Sequence, residues 1–211
     1  MRGRFLGRGS PLVLVFMLVG ATTPSVNGEF FDDPDLQLTW VDVSGITAGP
    51  LAAAIAEARR LLEPAGIRVT ARQERAGVPV PAGSMIVLFL RDREGAGSDT
   101  LWGAAQADTD NAVWAYPERV ASAVGLDPAV PHAWSGASDI RFRRLLGAVV
   151  AHELLHRLAG APHAEEGVMA ATLSPSGSFS EFRVEAELTA RLREGVARLS
   201  AGLSLPALPL D

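Results

Sequence analysis

Three of the four histidines in this chain lie within twelve residues, from His152 to His163. His156 follows His152 by four residues, and residues four apart lie on the same face of an α-helix, so both imidazoles can face one point. Glu153 would lie beside that point, where a carboxylate can accept a proton from water without binding the metal itself. The spacing therefore predicts a metal site on a helix, with His152 and His156 as ligands and Glu153 as the general base.

The residues that follow this helix could bring the third histidine back to the metal. Gly160 can adopt the left-handed conformation that ends a helix, and Pro162 disfavours continuation of the helix. The resulting turn would return His163 to the site. Three protein ligands leave a fourth position open, which is typical of catalytic zinc and not of structural zinc. We therefore predict one catalytic Zn²⁺ ion held by His152, His156 and His163.

The H-E-x-x-H helix, the glycine turn, the third histidine and a following methionine resemble the metzincin branch of zinc metallopeptidases. Met169, within Val168-Met169-Ala170, stands in the place of the Met-turn of that family. The family pattern has two residues between the second histidine and the glycine. Here three residues intervene, so Gly160 and His163 each come one position late. The extra residue requires a local bulge or a wider turn.

The resemblance implies an α+β, metzincin-like fold. Such a fold has a mixed, twisted sheet of about five strands, an active-site helix, the Met-turn and a C-terminal helix. In this family the substrate pairs with the exposed edge strand of the sheet, and our candidate for that strand is Gly103-Ala104-Ala105-Gln106. A free strand edge offers main-chain hydrogen bonds to an extended peptide without requiring a particular sequence. An ordinary hairpin strand is the alternative interpretation.

A glutamate could replace His163 as the third ligand, as in the gluzincin branch of zinc peptidases. The candidates are carboxylates near the turn or on a predicted later helix: Glu165, Glu166, Glu181, Glu185 and Glu187. We favour His163, because a neutral imidazole after a glycine turn suits zinc better than carboxylates on a helix face, which are usually only solvated.

Hydrophobic periodicity predicts the elements that must position these residues. Alternating or continuous apolar runs predict five strands, at residues 36–43, 67–72, 85–90, 101–107 and 112–116. Pro50 suits the first turn of a helix that Pro64 and Gly66 end. The apolar face of that helix consists of Leu51, Ile55, Ala58 and Leu62.

Two further helices are predicted after a loop at residues 121–137. Ser138 and Asp139 are the candidate caps of the active-site helix. That helix should be buried, because it carries Ile140, Phe142, Leu145, Leu146, Val149 and Val150. Ser178 and Glu181 have the spacing of a capping box for the last helix. Its buried face would consist of Val184, Leu188, Leu192, Val196 and Leu199.

The first residues have the features of a signal peptide. Arg2, Arg4 and Arg8 precede an apolar run at residues 11–21 that is too short to span a bilayer. We therefore predict a signal peptide at residues 1–28, a catalytic domain at residues 29–200 and a flexible tail at residues 201–211. The mature protein would be secreted or periplasmic, with no stable membrane span.

Composition excludes several classes of protein. The formal net charge is −5, and removal of the signal-peptide arginines makes it more negative, which argues against nucleic acid as a partner. The chain has no cysteine, so disulfides and a zymogen with a cysteine bound to zinc are both excluded. Its 211 residues suffice for one domain with a sizeable core, and we expect a monomer.

These observations together predict a secreted zinc metalloendopeptidase acting on a peptide or protein substrate. In this interpretation Glu153 takes a proton from the attacking water and delivers a proton to the leaving amine. One alternative is a secreted zinc-binding scaffold protein without catalysis, against which the retained Glu153 argues. Another is an enzyme that acts on a small amide.

Overall fold

The structure is a computed structural model that describes residues 35–92, 102–105, 111–175, 184 and 186–205. These residues belong to one compact unit, Asp32–Asp211. The predicted signal peptide, Gln106 and residues 206–211 lie outside the described residues.

The described residues form one five-stranded mixed sheet, which confirms the predicted α+β class. Its strands are β1 (Asp35–Asp42), β2 (Arg68–Glu74), β3 (Ser84–Phe89), β4 (Gly103–Ala105) and β5 (Ala112–Ala115). The spatial order is β2-β1-β3-β5-β4. The first four strands in this order pair in parallel, whereas β4 pairs antiparallel with β5 and forms one edge of the sheet.

The apolar run at residues 85–90 becomes the central strand β3, as predicted. Met85, Val87 and Phe89 are fully buried. They share the core with Leu36 and Leu38 of the neighbouring strand β1. Ile86 and Leu88, which lie between the three buried residues of β3, are only partly buried, so β3 has one face in the core and one half-exposed face, although every residue of the run is apolar.

Within the described ranges, four helices accompany the sheet: α1 (Ala48–Leu62), α2 (Pro117–Ala123), α3 (Gly136–Ala159) and α4 (Ala186–Ser200). Short 3₁₀ turns occupy Glu63–Ala65 and Pro131–Ala133. Helix α1 buries its predicted apolar face, and Gly66 follows the first 3₁₀ turn in the left-handed conformation, with φ of 68°. Helix α3 contacts α1, α4, β4 and β5, so it connects the helical layer to the edge of the sheet.

Three local predictions around α3 are wrong. Residues 121–137 are not all loop, because α2 extends to Ala123 and α3 begins at Gly136. The residue that precedes the helix is Ser135, and both Ser138 and Asp139 lie inside it. Asp139 is buried and forms an ion pair with the partly exposed Arg143. Ile140 is 52% exposed, because the first turns of α3 extend beyond the core.

The last helix follows the predicted pattern where it is described. Leu192, Val196 and Leu199 are buried, and Leu188 packs partly buried against the core. Helix α4 begins at Ala186, so Val184 precedes it, and the predicted capping box Ser178 and Glu181 lies outside the described residues.

Residues 201–205 continue from the end of α4. The main-chain N–H of Leu203 donates to the carbonyl of Arg198, whose side chain in turn donates to the carbonyl of Ser204. Leu205 is buried against the core. None of the helices in the described part of the chain has the length and hydropathy required to cross a bilayer.

Two glycines allow the helices to approach α3 closely. A Cβ built on Gly195 of α4 would lie 1.9 Å from the main-chain oxygen of Leu158. A Cβ on Gly147 of α3 would lie 2.7 Å from the main-chain oxygen of Ala54 in α1. Neither glycine has a positive φ, so the close contact and not the backbone conformation requires glycine here. The position of α3 therefore depends on helix contacts that any side chain would disrupt.

We expect Gly195→Ala to destabilise the protein by at least about 1–3 kcal/mol, the usual cost of forcing extra atoms into a packed interface. This outcome opposes helix propensity, which favours alanine over glycine by about 1 kcal/mol. Gly49→Ala is the matched control, because Gly49 also lies in a helix but a Cβ there would contact nothing within 4 Å. Thermal or urea unfolding should show a lower free energy of unfolding for Gly195→Ala alone. Equal behaviour of the two variants would contradict the close α3–α4 contact.

Candidate metal centre

Helix α3 carries the first two histidines and the glutamate on its C-terminal half. His152, Glu153 and His156 are all buried, with 7% to 9% of their surface exposed. The four-residue separation places the two imidazoles one above the other, with ring centroids 4.4 Å apart. The helix therefore brings two of the three predicted ligands together.

The third histidine returns to the same point from the segment after α3. Nε2 of His156 lies 2.9 Å from Nε2 of His152 and 3.2 Å from Nε2 of His163. One nitrogen from each histidine lies within 4.8 Å of the others, so the three residues could hold one metal ion. His163 itself is exposed at the surface, which leaves the cluster accessible from one side.

Main-chain carbonyls fix which nitrogens face the centre of the cluster. Nδ1 of His152 lies 2.8 Å from the carbonyl oxygen of Val168, and Nδ1 of His156 lies 2.7 Å from that of Ala161. A carbonyl only accepts, so each Nδ1 carries the proton and donates it. In a neutral imidazole the Nε2 atom then has a lone pair, and both lone pairs face the same point. A shared cation stabilises such an arrangement.

The spacing of these nitrogens suits zinc. Zinc–nitrogen bonds of about 2.0–2.1 Å in a tetrahedron place two ligand nitrogens about 3.3 Å apart. The two separations in the cluster, 2.9 Å and 3.2 Å, are close to that value. Orientation of a ligating imidazole by a hydrogen bond from its other nitrogen is also typical of metal sites. The residues present therefore fit a zinc ion.

The extra residue before Gly160 is accommodated within regular helix. Helix α3 continues without a bulge to Ala159, and Gly160 follows in the left-handed conformation, with φ of 53° and ψ of 38°. The N–H of Gly160 donates to the carbonyl of His156 at 2.9 Å, the bond of a left-handed helix cap. The chain reverses early enough for His163 to reach the cluster, so neither the predicted bulge nor a wider turn is needed.

The segment in the place of the Met-turn, which follows His163 in the sequence, stabilises the histidine cluster. Gly167 has φ of 80°, and Met169 is fully buried within the hydrophobic core. The carbonyl of Met169 accepts a hydrogen bond of 2.8 Å from the N–H of Ala164, next to His163. The neighbouring carbonyl, of Val168, orients His152. The turn therefore connects two of the three histidines through main-chain groups.

Burial controls the ionisation of Glu153. Desolvation raises the pKa of its carboxyl to about 8, and the hydrogen bond from the main-chain N–H of Ala105 partly opposes that rise. A divalent cation on the adjacent histidines would favour the ionised form. A carboxyl group with a raised pKa beside a group of metal-binding histidines is typical of a general base.

Burial also keeps His152 neutral. Desolvation lowers its pKa to about 4, the neighbouring His156 and His163 lower it further, and the carbonyl of Val168 acts in the opposite direction. Only a neutral imidazole binds a metal ion, because the proton and the metal compete for the same lone pair. The burial of this side chain therefore prepares it as a ligand near neutral pH.

The candidate edge strand lies at the edge of the sheet and contacts α3. Tyr116 N–H donates to the carbonyl of Trp102 at 2.8 Å, so by alternation the main-chain groups of Gly103 and Ala105 face away from β5. One of these outward groups, the N–H of Ala105, reaches the carboxyl of Glu153. Ala104 has the opposite orientation, and Gln106 lies outside the described residues.

The competing ligands do not join the cluster where they are described. Glu165 and Glu166 are exposed, and among the described residues the group that could hold a metal contains only His152, His156 and His163. Glu181 and Glu185 lie outside the described residues, as does the side chain of Glu187. His132, the fourth histidine, is exposed in the 3₁₀ turn Pro131–Ala133.

Sequence reasoning missed the main-chain groups that orient the site. The carbonyls of Ala161 and Val168 and the N–H of Ala105 each hold one of the functional side chains. Every residue type except proline supplies both groups, so residue identity contains no signal for them. Sequence reasoning also did not anticipate that Gly103 lies against Glu153, although it placed Gly103 in the edge strand.

Comparison with known proteins gives a structural likeness only. No protein-family model matches the sequence, and no curated protein matches it. The structure is similar to that of archaemetzincin from Methanopyrus kandleri, with a TM-score of 0.52 and 15% sequence identity over 78% of this chain and 97% of that chain. It is also similar to metalloproteinase-II from Bacteroides fragilis, with a TM-score of 0.45, 12% identity and coverage of 77% of this chain and 53% of that one.

The likeness to archaemetzincin extends over nearly the whole of that chain. At this level of sequence identity it shows the fold. This chain therefore has the α+β, metzincin-like fold that the spacing of its histidines and its Met-turn segment predicted.

Proposed function

We propose that this protein is an exported zinc metallopeptidase that hydrolyses peptide bonds with one catalytic zinc ion. The observation that carries the proposal is the convergence of three Nε2 atoms beside a buried carboxyl group. His152, His156 and His163 would hold the ion and leave its fourth position open. A structural zinc normally has four protein ligands and makes no use of an adjacent base.

The residues of the site have separate roles in this reaction. Bound zinc would supply Lewis acidity, which lowers the pKa of water and stabilises negative charge on the carbonyl oxygen. Glu153 accepts a proton from the attacking water at its carboxylate and transfers a proton to the leaving amine. The N–H of Ala105 holds this carboxylate on the side of the edge strand. Val168 and Ala161 keep the two helix histidines in the orientation that binds metal.

The substrate would be an extended peptide paired with the outer edge of β4. The outward main-chain groups of Gly103 and the outward carbonyl of Ala105 support this proposal, because they lie on the same strand whose Ala105 N–H holds Glu153. Ala104 and Gln106 would belong to the same substrate-binding strand. Pairing through main-chain groups places a peptide bond beside the base without requiring particular side chains. We further propose that the protein acts as a monomer, with no nucleic-acid partner.

A secreted zinc-binding protein without catalysis is the second candidate. It shares the three histidines, and only the role of Glu153 separates it from a peptidase. An enzyme for small amides would retain the same site and differ in the substrates that it accepts. Activity measurements on variants of Glu153 and on substrates of different length therefore distinguish these candidates.

Metal content tests the ligand set. Purified wild type should contain about one zinc ion per chain, measured by mass spectrometry of the metal. Loss of a residue that only orients a metal ligand weakens metal binding roughly 10–100-fold, and His163→Ala, which removes a ligand itself, should weaken zinc binding by more than that. His132→Ala is the matched control, because His132 is an exposed histidine outside the cluster, and it should retain zinc. Full zinc content in His163→Ala would show that His163 is not the third ligand and would favour a carboxylate in its place.

Replacement of Glu153 by glutamine tests the base. Glu153→Gln keeps the size of the side chain but removes the proton acceptor, so kcat/KM on a peptide library should fall at least about 100-fold, within the range for general-base catalysis. Zinc content should not change. Glu166→Gln, a nearby exposed carboxylate, should retain full activity. Unchanged hydrolysis by Glu153→Gln would show that Glu153 is not the general base.

Export can be tested by expression of the full chain in a bacterial host. Residues 1–28 contain the basic start and apolar run of a signal peptide, so we expect processed protein outside the cytoplasm. Deletion of residues 2–28 should retain the protein in the cytoplasm. Mass spectrometry of the exported form would give the cleavage position, and unprocessed wild type in the cytoplasm would contradict the proposal.

A further inference from the structure

Gly103 on the edge strand lies directly against the proposed base. A Cβ built on Gly103 would lie 2.8 Å from Oε1 and 2.9 Å from Cγ of Glu153. It would also lie 2.8 Å from Cγ1 of Val149, one turn earlier on α3. Real side chains do not tolerate such distances, so the space next to the carboxyl of Glu153 exists because position 103 has no side chain.

The backbone conformation does not explain this glycine. Gly103 does not have a positive φ, so an alanine could adopt the same backbone angles without strain. The requirement for glycine therefore comes from the neighbouring side chains. Gly103 is also buried, which leaves no room for a substituted side chain to turn towards solvent.

The same strand supplies a hydrogen bond to the same carboxyl group. Ala105, two residues after Gly103, donates its main-chain N–H to Glu153. The N–H of Ala105 points outward in the plane of the sheet, whereas a side chain at position 103 would project from the face of the strand, so β4 contacts the carboxyl from two directions. The carboxyl of Glu153, which projects from α3, therefore lies next to both Gly103 and the N–H of Ala105.

We propose that Gly103 is a positioning residue for Glu153: its lack of a side chain forms the space that the carboxyl occupies, while Ala105 holds the carboxyl in place. This inference rests on the proposed function of Glu153 as the base. A methyl group at position 103 would move Oε1 by about 0.6 Å before ordinary contact, near 3.4 Å, is restored. Such a shift is large enough to weaken proton transfer, since catalysis responds strongly to displacements of this order.

The flexibility of glutamate determines how the effect would appear. Oε1 is the far end of a side chain that can rotate away, whereas Cγ of Glu153 and Cγ1 of Val149 lie nearer the main chain, so the added methyl displaces the base and also lowers the stability of the fold. The metal ligands lie at other positions of α3 and in the segment after it, and the three atoms nearest to a Cβ at position 103 belong to Glu153 and Val149. Substitution at Gly103 should therefore affect turnover while zinc content is preserved.

The first experiment compares Gly103→Ala with wild type in steady-state peptide hydrolysis. We expect kcat to fall roughly tenfold to a hundredfold, with KM within about twofold and zinc content unchanged. Gly49→Ala is the matched control, because it also adds one methyl group but at a position in α1 where a Cβ would contact nothing within 4 Å, and its kcat should remain near that of wild type. An unchanged kcat in Gly103→Ala would overturn the proposal. A change confined to KM would also overturn it, by assigning Gly103 to substrate binding alone.

The second experiment does not depend on activity. A double-mutant cycle in thermal unfolding combines Gly103→Ala with Glu153→Ala. If the methyl at position 103 collides with Glu153, Gly103→Ala should lower Tm less in the Glu153→Ala background than in wild type. Additive Tm changes would overturn the proposal. Gly103→Ala combined with Val149→Ala shows how much of the effect arises from Val149.

The cycle also covers the case in which Gly103→Ala fails to fold. Recovery of folding in Gly103→Ala/Glu153→Ala would support the proposal. Recovery only with Val149→Ala, or with neither partner change, would overturn it. If wild type hydrolyses no peptide, the proposed function fails, but the Tm cycle still decides whether Gly103 forms the space for Glu153. The two failures are therefore distinguishable.

Discussion

The hydrogen bonds from Nδ1 of His152 and His156 to main-chain carbonyls are the interactions on which the rest of the site depends. They place a proton on each Nδ1 and leave a lone pair on each Nε2. Both lone pairs face one point, and the two Nε2 atoms are 2.9 Å apart. The acceptors belong to Val168 and Ala161, in the segment that follows α3. The return of the chain after Gly160 therefore has two effects: it brings His163 to the cluster and it orients the two histidines already there.

Helix α3 joins this site to the hydrophobic core, and close approaches of backbone secure its position. Gly147 admits α1 and Gly195 admits α4 at distances that a side chain would prevent. Gly103 has the same function at the edge of the sheet, but there the neighbour is the carboxyl of Glu153. A glycine therefore permits a close contact at three places along one helix, twice for packing of helices and once for placement of a functional group.

Much of the fold was predictable because burial leaves a periodic pattern in a sequence. The buried face of β3 and the spaced apolar face of α1 both follow from the surroundings that those elements require. Helix α2 was missed, since seven residues that begin with Pro117 are too few to show a period. Ile140 was misassigned to the core, because periodicity identifies a helix face but not where that face extends beyond its neighbours.

For the site, the sequence by itself determined the candidate ligands and the base, because a spacing of four residues on a helix places His152 and His156 on one face with Glu153 beside them. It also marked Gly160 as the end of that helix, a position that favours glycine for its conformation. Only the tertiary structure decided that His163 reaches the cluster despite the extra residue. It alone decided which carbonyls orient the imidazoles and that β4 supplies both a space and an N–H to Glu153. These features depend on main-chain groups and on contacts between distant segments, and neither leaves a signal in residue type or spacing.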